Sequence, residues 1–238
     1  MIEEILSPWV AVSTFRGDDP GGWLWPAEAE VVERAVESRV REFTTGRTCA
    51  RRALAQLGAK PGPILSGAHR EALWPAGVTG SITHCSGYRA AAVAWQKNIL
   101  GLGIDAETDS ALPPGLLEHI AVESERAWLS LQSGPEPWDR VLFSAKESVY
   151  KALFPLTGRW LDFTDIQVQF VPTERRFFAA IRPENKTGTG NFGPLQGRYL
   201  RRDGLILTTV LVPLDCSTWV RRIQADAHEI DDHIAGET

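Results

Sequence analysis

The sequence predicts an α+β fold of two packed halves, and three observations carry that expectation. Leu100, Leu102, Ile104 and Ala106 alternate with Gly101, Gly103, Asp105 and Glu107, the two-residue period of a strand with one buried face. Val141, Leu142, Ala145, Val149, Ala152 and Leu153 gather on about a third of a helical circumference at 3.6 residues per turn, which predicts a helix over 139–153. Between them lies 108–115, where the composition changes and Pro113 and Pro114 mark the best connection between halves, drawn as 1–108 and 109–238. With 238 residues, 43% of them hydrophobic, the chain has material for a sizeable core in one large domain or two of about 120 residues.

In chain order, an extended start around 9–15 leads to a turn over 17–22, and 26–57 reads as one or two helices stopped by Gly58. Residues 60–80 are loop-rich. Two strands follow at 80–84 and 88–95 about a Ser86, Gly87 turn, and the acidic strand returns over 98–107. In the second half, 116–131 reads as helix before a break at Gly134, Pro135 and Pro137. Helix 139–153 comes next, then strands at 166–170, 175–181 and 205–212. The glycine-containing 185–197 lacks the spacing and Gly-Lys-Ser/Thr ending of a P-loop and reads as a flexible hairpin loop. The acidic end from Asp226 holds His228 and His233 in poor helical register for a shared metal, and reads as a solvated terminal helix or frayed tail.

A net charge of -5 argues against general nucleic-acid binding, which needs a basic surface. Basic residues are local, with Arg39, Arg41, Arg47, Arg51 and Arg52 crowding one stretch that suits an acidic protein partner or is simply a solvated face. Cys49, Cys85 and Cys216 form no CxxC pair, so neither a disulfide framework nor a zinc site is expected. Cys85 and His84, adjacent on a strand, point to opposite faces and do not form a Cys/His nucleophile pair. No apolar run is long enough to span a membrane and no signal peptide is read, so a cytoplasmic protein is expected.

The chemistry-bearing residues fall in two acidic segments. Asp105 and Glu107 point the same way from one strand, roughly 6 to 7 Å apart at the backbone, with Gly103 leaving room beside them. A site of carboxylates without histidine or cysteine suits Mg2+, which is usually held by one or two carboxylates plus waters and phosphate oxygens. On helix 139–153, Ser144, Glu147 and Lys151 lie opposite the apolar face. Glu147 and Lys151 alone are a solvated i,i+4 pair contributing roughly 0.3 to 0.5 kcal/mol. If the two segments meet, three carboxylates and a lysine make a divalent-metal and phosphate site.

Four blocks stand in order from about residue 40 to 162: Gly46 and Arg47 with Ala50, Arg51, Ala53 and Leu54; Trp74 and Pro75 with Gly80, Ser81, Ile82, Thr83, His84 and Cys85; Gly103 to Glu107; and Phe143 to Lys151. Together they resemble the 4'-phosphopantetheinyl transferases of the Sfp-like superfamily, in its enterobactin synthase component D-like branch. The resemblance implies two similar α/β subdomains related by a pseudo-twofold axis, with the active site in the cleft between them. No internal repeat is visible in the sequence to show that symmetry directly. It also implies the reaction: transfer of 4'-phosphopantetheine from coenzyme A to a serine of an acyl or peptidyl carrier protein, releasing adenosine 3',5'-bisphosphate.

Carried over residue by residue, the resemblance implies that Asp105, Glu107 and Glu147 hold Mg2+, or Mn2+, on the pyrophosphate of coenzyme A. Lys151 contacts the same phosphates. Glu147 is also the general base, taking the serine proton directly or through a metal-bound water. Arg47 and His84 bind the 3'-phosphate, with Arg51, Ser81 and Thr83 as further contacts. Arg70, or its neighbour His69, is a further basic contact, and Trp160 is either an aromatic near the pantetheine arm or ordinary core. The implied partners are carrier domains of polyketide, nonribosomal-peptide, siderophore or fatty-acid synthases, served by a monomer.

Two other readings compete. A non-catalytic coenzyme A or carrier-protein binding module needs no base, whereas Asp105, Glu107, Glu147 and Lys151 are all present. A Mg2+-dependent phosphohydrolase uses a similar cluster with water as nucleophile, and forms adenosine bisphosphate without carrier protein.

Overall fold

The computed structural model describes residues 1–182 and 195–216. Strands β1 (Ala11–Arg16), β2 (Val78–Cys85) and β3 (Tyr88–Trp95) form an antiparallel sheet in the order β1-β3-β2. β3 is central and buried on both faces, which explains its run of small apolar residues. Ala91 and Val93 pack under Cys49, Ala50, Ala53 and Leu54 of helix α2 (Glu37–Leu57), which stops at Gly58 with φ 77°. Ala90, Ala92 and Ala94 face the other way, into a core shared with Ile2, Ile5, Leu102, Ile104 and Leu207.

Strands β4 (Gly101–Thr108), β5 (Ile166–Val171), β6 (Arg176–Ile181), β7 (Leu195–Arg202) and β8 (Leu205–Val212) form a second antiparallel sheet, ordered β4-β8-β7-β6-β5. Helix α5 (Trp138–Thr157) lays Val141, Leu142, Ala145, Val149, Ala152 and Leu153 into its core. β4 lies before the expected 108/109 division, yet its ladder runs to β8, with Asp105 opposite Thr208. β2 runs beside β4 without a backbone ladder. Side-chain hydroxyls replace it: Ser81 Oγ accepts the Ile104 N–H at 3.1 Å and Thr83 Oγ1 accepts the Ala106 N–H at 3.0 Å. The two sheets are thus joined along one line, with α2 and α5 on either side of the cleft described below.

Several elements differ from the sequence expectation for physical reasons. The one or two helices read over 26–57 are two, α1 (Pro26–Ala29) and α2, with a 3-10 turn at Glu30–Val32 that was not foreseen. The expected helix over 116–131 is two short helices, α3 (Leu116–Ile120) and α4 (Glu123–Ser130), separated by extended Ala121 and Val122. Buried Glu125 caps the second by accepting the Val122 N–H at 2.8 Å. α5 runs past 153 through Pro155 to a left-handed Gly158. β7 was not expected: 195–197, read as the end of a loop, belongs to it, while 185–194 and the tail with His228 and His233 lie outside the described residues.

Gly103 was expected to leave room for a ligand. It instead lets a helix approach a strand: a Cβ there would stand 1.8 Å from the Ser148 carbonyl oxygen and 2.7 Å from the Ala152 nitrogen. Because that clash is with backbone, Gly103→Ala should cost about 3 kcal/mol or more, the upper end of over-packing costs. Urea unfolding measures it, and a loss below about 1 kcal/mol would show that α5 is free to shift on β4.

Candidate active site

A cleft of about 500 Å3 opens between α2 and β2 on one side and α5 on the other. Arg39, Phe43 and Arg47 come from one face of α2, Ser81 and His84 from β2, and Glu147, Tyr150, Lys151 and Phe154 from α5, with Ser66, His69 and Arg70 between them. The two sequence segments that carry the acidic residues therefore do meet, because β4 lies directly beneath α5.

Asp105 is the centre of the acidic side and only 3% exposed. Its Oδ1 accepts the Lys151 ammonium at 2.6 Å and the Thr83 hydroxyl at 3.1 Å, and its Oδ2 accepts the Ser144 hydroxyl at 2.8 Å. Ser144 lies 2.9 Å from the Thr208 hydroxyl, which donates to the Ser144 carbonyl at 2.8 Å. The helix side opposite the apolar face thus packs on β4, and Ser144 is fully buried. Glu147 Oε2 stands 3.9 Å from the Lys151 ammonium, and Glu107 Oε2 accepts Arg140 Nη1 at 2.8 Å.

The electrostatics follow from this crowding. Burial pushes the Glu147 carboxyl above the usual range, Lys151 opposes that shift, and Asp105 adds to it. Burial and then Asp105 raise Glu107, against the pull of Arg140. For Lys151 burial alone would favour the neutral amine, but Asp105, Glu147 and Glu107 together outweigh it and raise its pKa. Asp105 and Glu147 accordingly share the Lys151 ammonium, while Glu107 is paired with Arg140. Among the described residues no three His, Cys, Asp or Glu side chains are grouped closely enough to hold a metal by themselves. The donors are carboxylate oxygens, which fits Mg2+ better than zinc, because Mg2+ leaves most of its positions to water and phosphate.

The opposite wall is cationic. Burial lowers Arg47 to about 10, which still leaves it charged at neutral pH. Its guanidinium stacks 4.3 Å over the Phe43 ring and donates to Ser66 at 3.0 Å, while Nε is buried without a partner. Arg39 Nη1 lies 2.9 Å from His84 Nε2, and since arginine has no acceptor, Nε2 must be the unprotonated nitrogen. Burial depresses the His84 pKa, against the pull of Glu42, consistent with that assignment.

The expected site residues are therefore sorted by the fold. Arg47, Arg70, Ser81, His84, Glu147 and Lys151 line the cleft, as does His69. Arg70 sits there at φ 69°, an uncommon conformation for a residue with a side chain. Asp105 lies under Lys151, while Thr83 is buried and spends its hydroxyl on Asp105. Arg51 is outside the cleft lining: it grips fully buried Glu28 at 2.8 and 3.0 Å and stacks on Trp23. Trp160 is 59% exposed, so it is not core, and its ring meets Tyr150 at 5.5 Å. Burial, then Glu107 and Asp105, push the Cys85 thiol up to about 11, against any nucleophilic role.

Sequence reasoning missed Arg39 and Arg140 as parts of the site. The spacing of Arg39, Phe43 and Arg47 by four residues was the available signal for the first. Lys146 shows the converse: four positions from Tyr150 and next to Glu147, it turns away from the cleft. It is fully buried on Glu125 at 2.7 Å and the carbonyls of Ile120 and Phe163 at 2.8 and 2.9 Å.

Comparison with known proteins finds matches along most of the chain. The 4'-phosphopantetheinyl transferase N-terminal domain model matches residues 27–94, and the 4'-phosphopantetheinyl transferase superfamily model matches 101–199. The chain is 43% identical over 225 residues to the 4'-phosphopantetheinyl transferase Svp of Streptomyces mobaraensis, covering 92% of each chain. It is 42% identical over 209 residues to the 4'-phosphopantetheinyl transferase PptT of Mycobacterium tuberculosis, covering 85% of this chain and 92% of that one. Enterobactin synthase component D of Salmonella typhimurium is 35% identical over 214 residues, 83% of this chain and 81% of the relative.

A carboxyl whose folded pKa lies above its unfolded value makes the fold less stable as pH rises through and beyond the usual carboxylate range of about 4.3. Glu147 is such a group. In EDTA, Glu147→Gln should therefore melt above the parent protein at pH 7 and with it near pH 4. An equal or lower melting temperature at pH 7 would show that the charged carboxylate is not a burden in the free fold.

Proposed function

The chain belongs to the 4'-phosphopantetheinyl transferase superfamily, and we propose that its cleft runs the transfer with the residues that line it. The observation that carries this reading is the opposition, across one cleft, of a wall of Arg39, Arg47 and neutral His84 to a wall where Glu147 and the Lys151 ammonium stand over buried Asp105. A molecule with a 3'-phosphate at one end and a pyrophosphate in the middle matches both walls. The helix–sheet pairs α2 with β1-β3-β2 and α5 with β4–β8 support two similar subdomains related by a pseudo-twofold axis, divided ahead of β4 rather than at 108/109.

In this reading Arg47, His84 and Arg39 grip the 3'-phosphate of coenzyme A, with Arg70 or His69 and Ser81 nearby. Lys151 leaves Asp105 for the pyrophosphate oxygens and neutralises charge that grows as the phosphoanhydride breaks. Glu147 accepts the proton of the carrier serine as its oxygen attacks the phosphorus bearing pantetheine. The Ser O–P bond forms, the P–O–P bridge breaks, and adenosine 3',5'-bisphosphate leaves. Asp105, Glu107 and Glu147 would hold Mg2+, or Mn2+, which supplies charge neutralisation on the pyrophosphate. Tyr150, Phe154 and Trp160 form an aromatic wall suited to the uncharged pantetheine arm.

The partners proposed are acyl or peptidyl carrier domains of polyketide, nonribosomal-peptide, siderophore or fatty-acid synthases, met by a monomer in the cytoplasm. Among the described residues no helix is long and apolar enough to cross a membrane.

Intact-protein mass spectrometry of an apo carrier protein incubated with this protein, coenzyme A and Mg2+ tests the reaction. A gain of one phosphopantetheine mass that EDTA suppresses is expected; no gain across several carriers with coenzyme A still bound would favour a binding module. Arg47→Ala should raise KM for coenzyme A more than for 3'-dephospho-coenzyme A. Equal effects on the two would remove Arg47 from the 3'-phosphate.

A further inference from the structure

Arg140 stands in the first turn of α5 and is outside every motif that carries the family resemblance. Each of its three guanidinium nitrogens donates, Nη1 to Glu107 Oε2 at 2.8 Å, Nε to the Ser110 carbonyl at 3.1 Å and Nη2 to the Ala111 carbonyl at 3.0 Å. Next to it, Asp139 accepts the Leu112 N–H at 2.8 Å. The connection between the halves is thus fastened to α5 from Glu107 to Leu112. Of these contacts only one is to a side chain, the Glu107 carboxylate.

We propose that Arg140 is a positioning residue for the transfer reaction: it holds Glu107 by one oxygen so that the other is presented to the cation of the site. The need for such a residue is geometric. The β4–β8 ladder ends one residue later, at Thr108 opposite Leu205, and a glutamate there has three side-chain torsions to settle. No hydrogen bond to Glu107 Oε1 is made among the described residues. A planar guanidinium fixes a carboxylate and two carbonyls at once, which a single ammonium point charge cannot do. Asp105, the other strand carboxylate, is fixed by Thr83 and Ser144, so each acidic residue of β4 has its own holder.

The inference rests on Glu107 being a metal ligand, and the test separates the two claims. Mn2+ affinity is measured by electron paramagnetic resonance on the full chain without coenzyme A, so that no turnover enters. Arg140→Gln should weaken Mn2+ binding about tenfold, the usual low end for losing a residue that orients a ligand. Glu107→Gln should weaken it at least as much, and the double variant should match Glu107→Gln within about twofold, because a residue that acts through another adds nothing once that other is gone. Asp139→Ala, which frees the connection without touching Glu107, should leave Mn2+ affinity unchanged. If Arg140→Gln does not fold, Arg140→Lys takes its place in the same cycle, with the same direction expected.

Multiplicative losses in the double variant would overturn the proposal, as would unchanged affinity in Arg140→Gln or an equal loss in Asp139→Ala. Unchanged affinity in Glu107→Gln would overturn both the proposal and the assignment of Glu107 to the metal.

Discussion

Asp105 is a carboxylate buried where two sheets and a helix meet, and the arrangement of the molecule follows from having to keep it there. An unpartnered buried charge costs several kcal/mol. Each neighbouring element therefore supplies a donor: Thr83 from β2, Ser144 and Lys151 from α5, with Thr208 of β8 bracing Ser144. The same contacts join the halves of the chain. Thr83 both donates to Asp105 and accepts the Ala106 N–H, so one hydroxyl aligns β2 with β4 and fixes the carboxylate between them. Gly103 completes the constraint by letting α5 rest on β4 closely enough for Ser144 to reach.

Charges elsewhere fall into two kinds. Glu28 with Arg51, and Glu125 with Lys146, are buried pairs whose remaining oxygens or protons are taken by backbone groups. Removing one partner of such a pair leaves an uncompensated charge, so they act as clamps for irregular segments. Lys151, Glu147 and Arg47 are different. They line an open cleft with incomplete satisfaction, seen in the orphan Arg47 Nε and the raised Glu147 carboxyl. Incomplete satisfaction in the free fold leaves these groups available to a phosphorylated ligand, and stability given up there is the common accompaniment of a working site.

Much of this was legible in the sequence, and the failures have identifiable causes. Alternation over 100–107 revealed β4 and the shared direction of Asp105 and Glu107, and helical periodicity revealed α5, because both elements bury one face and expose chemistry on the other. What lies outside local periodicity was hidden. That Ser144 is buried depends on β4 packing against the second face of α5, a long-range contact. Arg51 shares a helix face with Arg47 but is captured by Glu28, which arrives from 23 positions away. The split of α3 from α4 rests on a local cap, Glu125 in the first turn of α4 accepting the Val122 N–H, with no Ser, Thr, Asp or Asn at the N-cap to announce it, and β7 lacks clean alternation because Tyr199 and Leu200 are both buried. Arg140 was invisible for the same reason: its meaning is set by the carbonyls and the carboxylate that the connection brings to it.

The central claim is that one cleft, built on the Asp105 junction, holds the cation and the pyrophosphate together. The most direct test is a crystal of the protein with Mn2+ and coenzyme A, read by anomalous scattering. The account requires an anomalous peak among Asp105, Glu107 and Glu147, with the Lys151 ammonium moved off Asp105 toward phosphate oxygens. Coenzyme A bound in the cleft with the peak elsewhere, or with Lys151 still on Asp105, would contradict it.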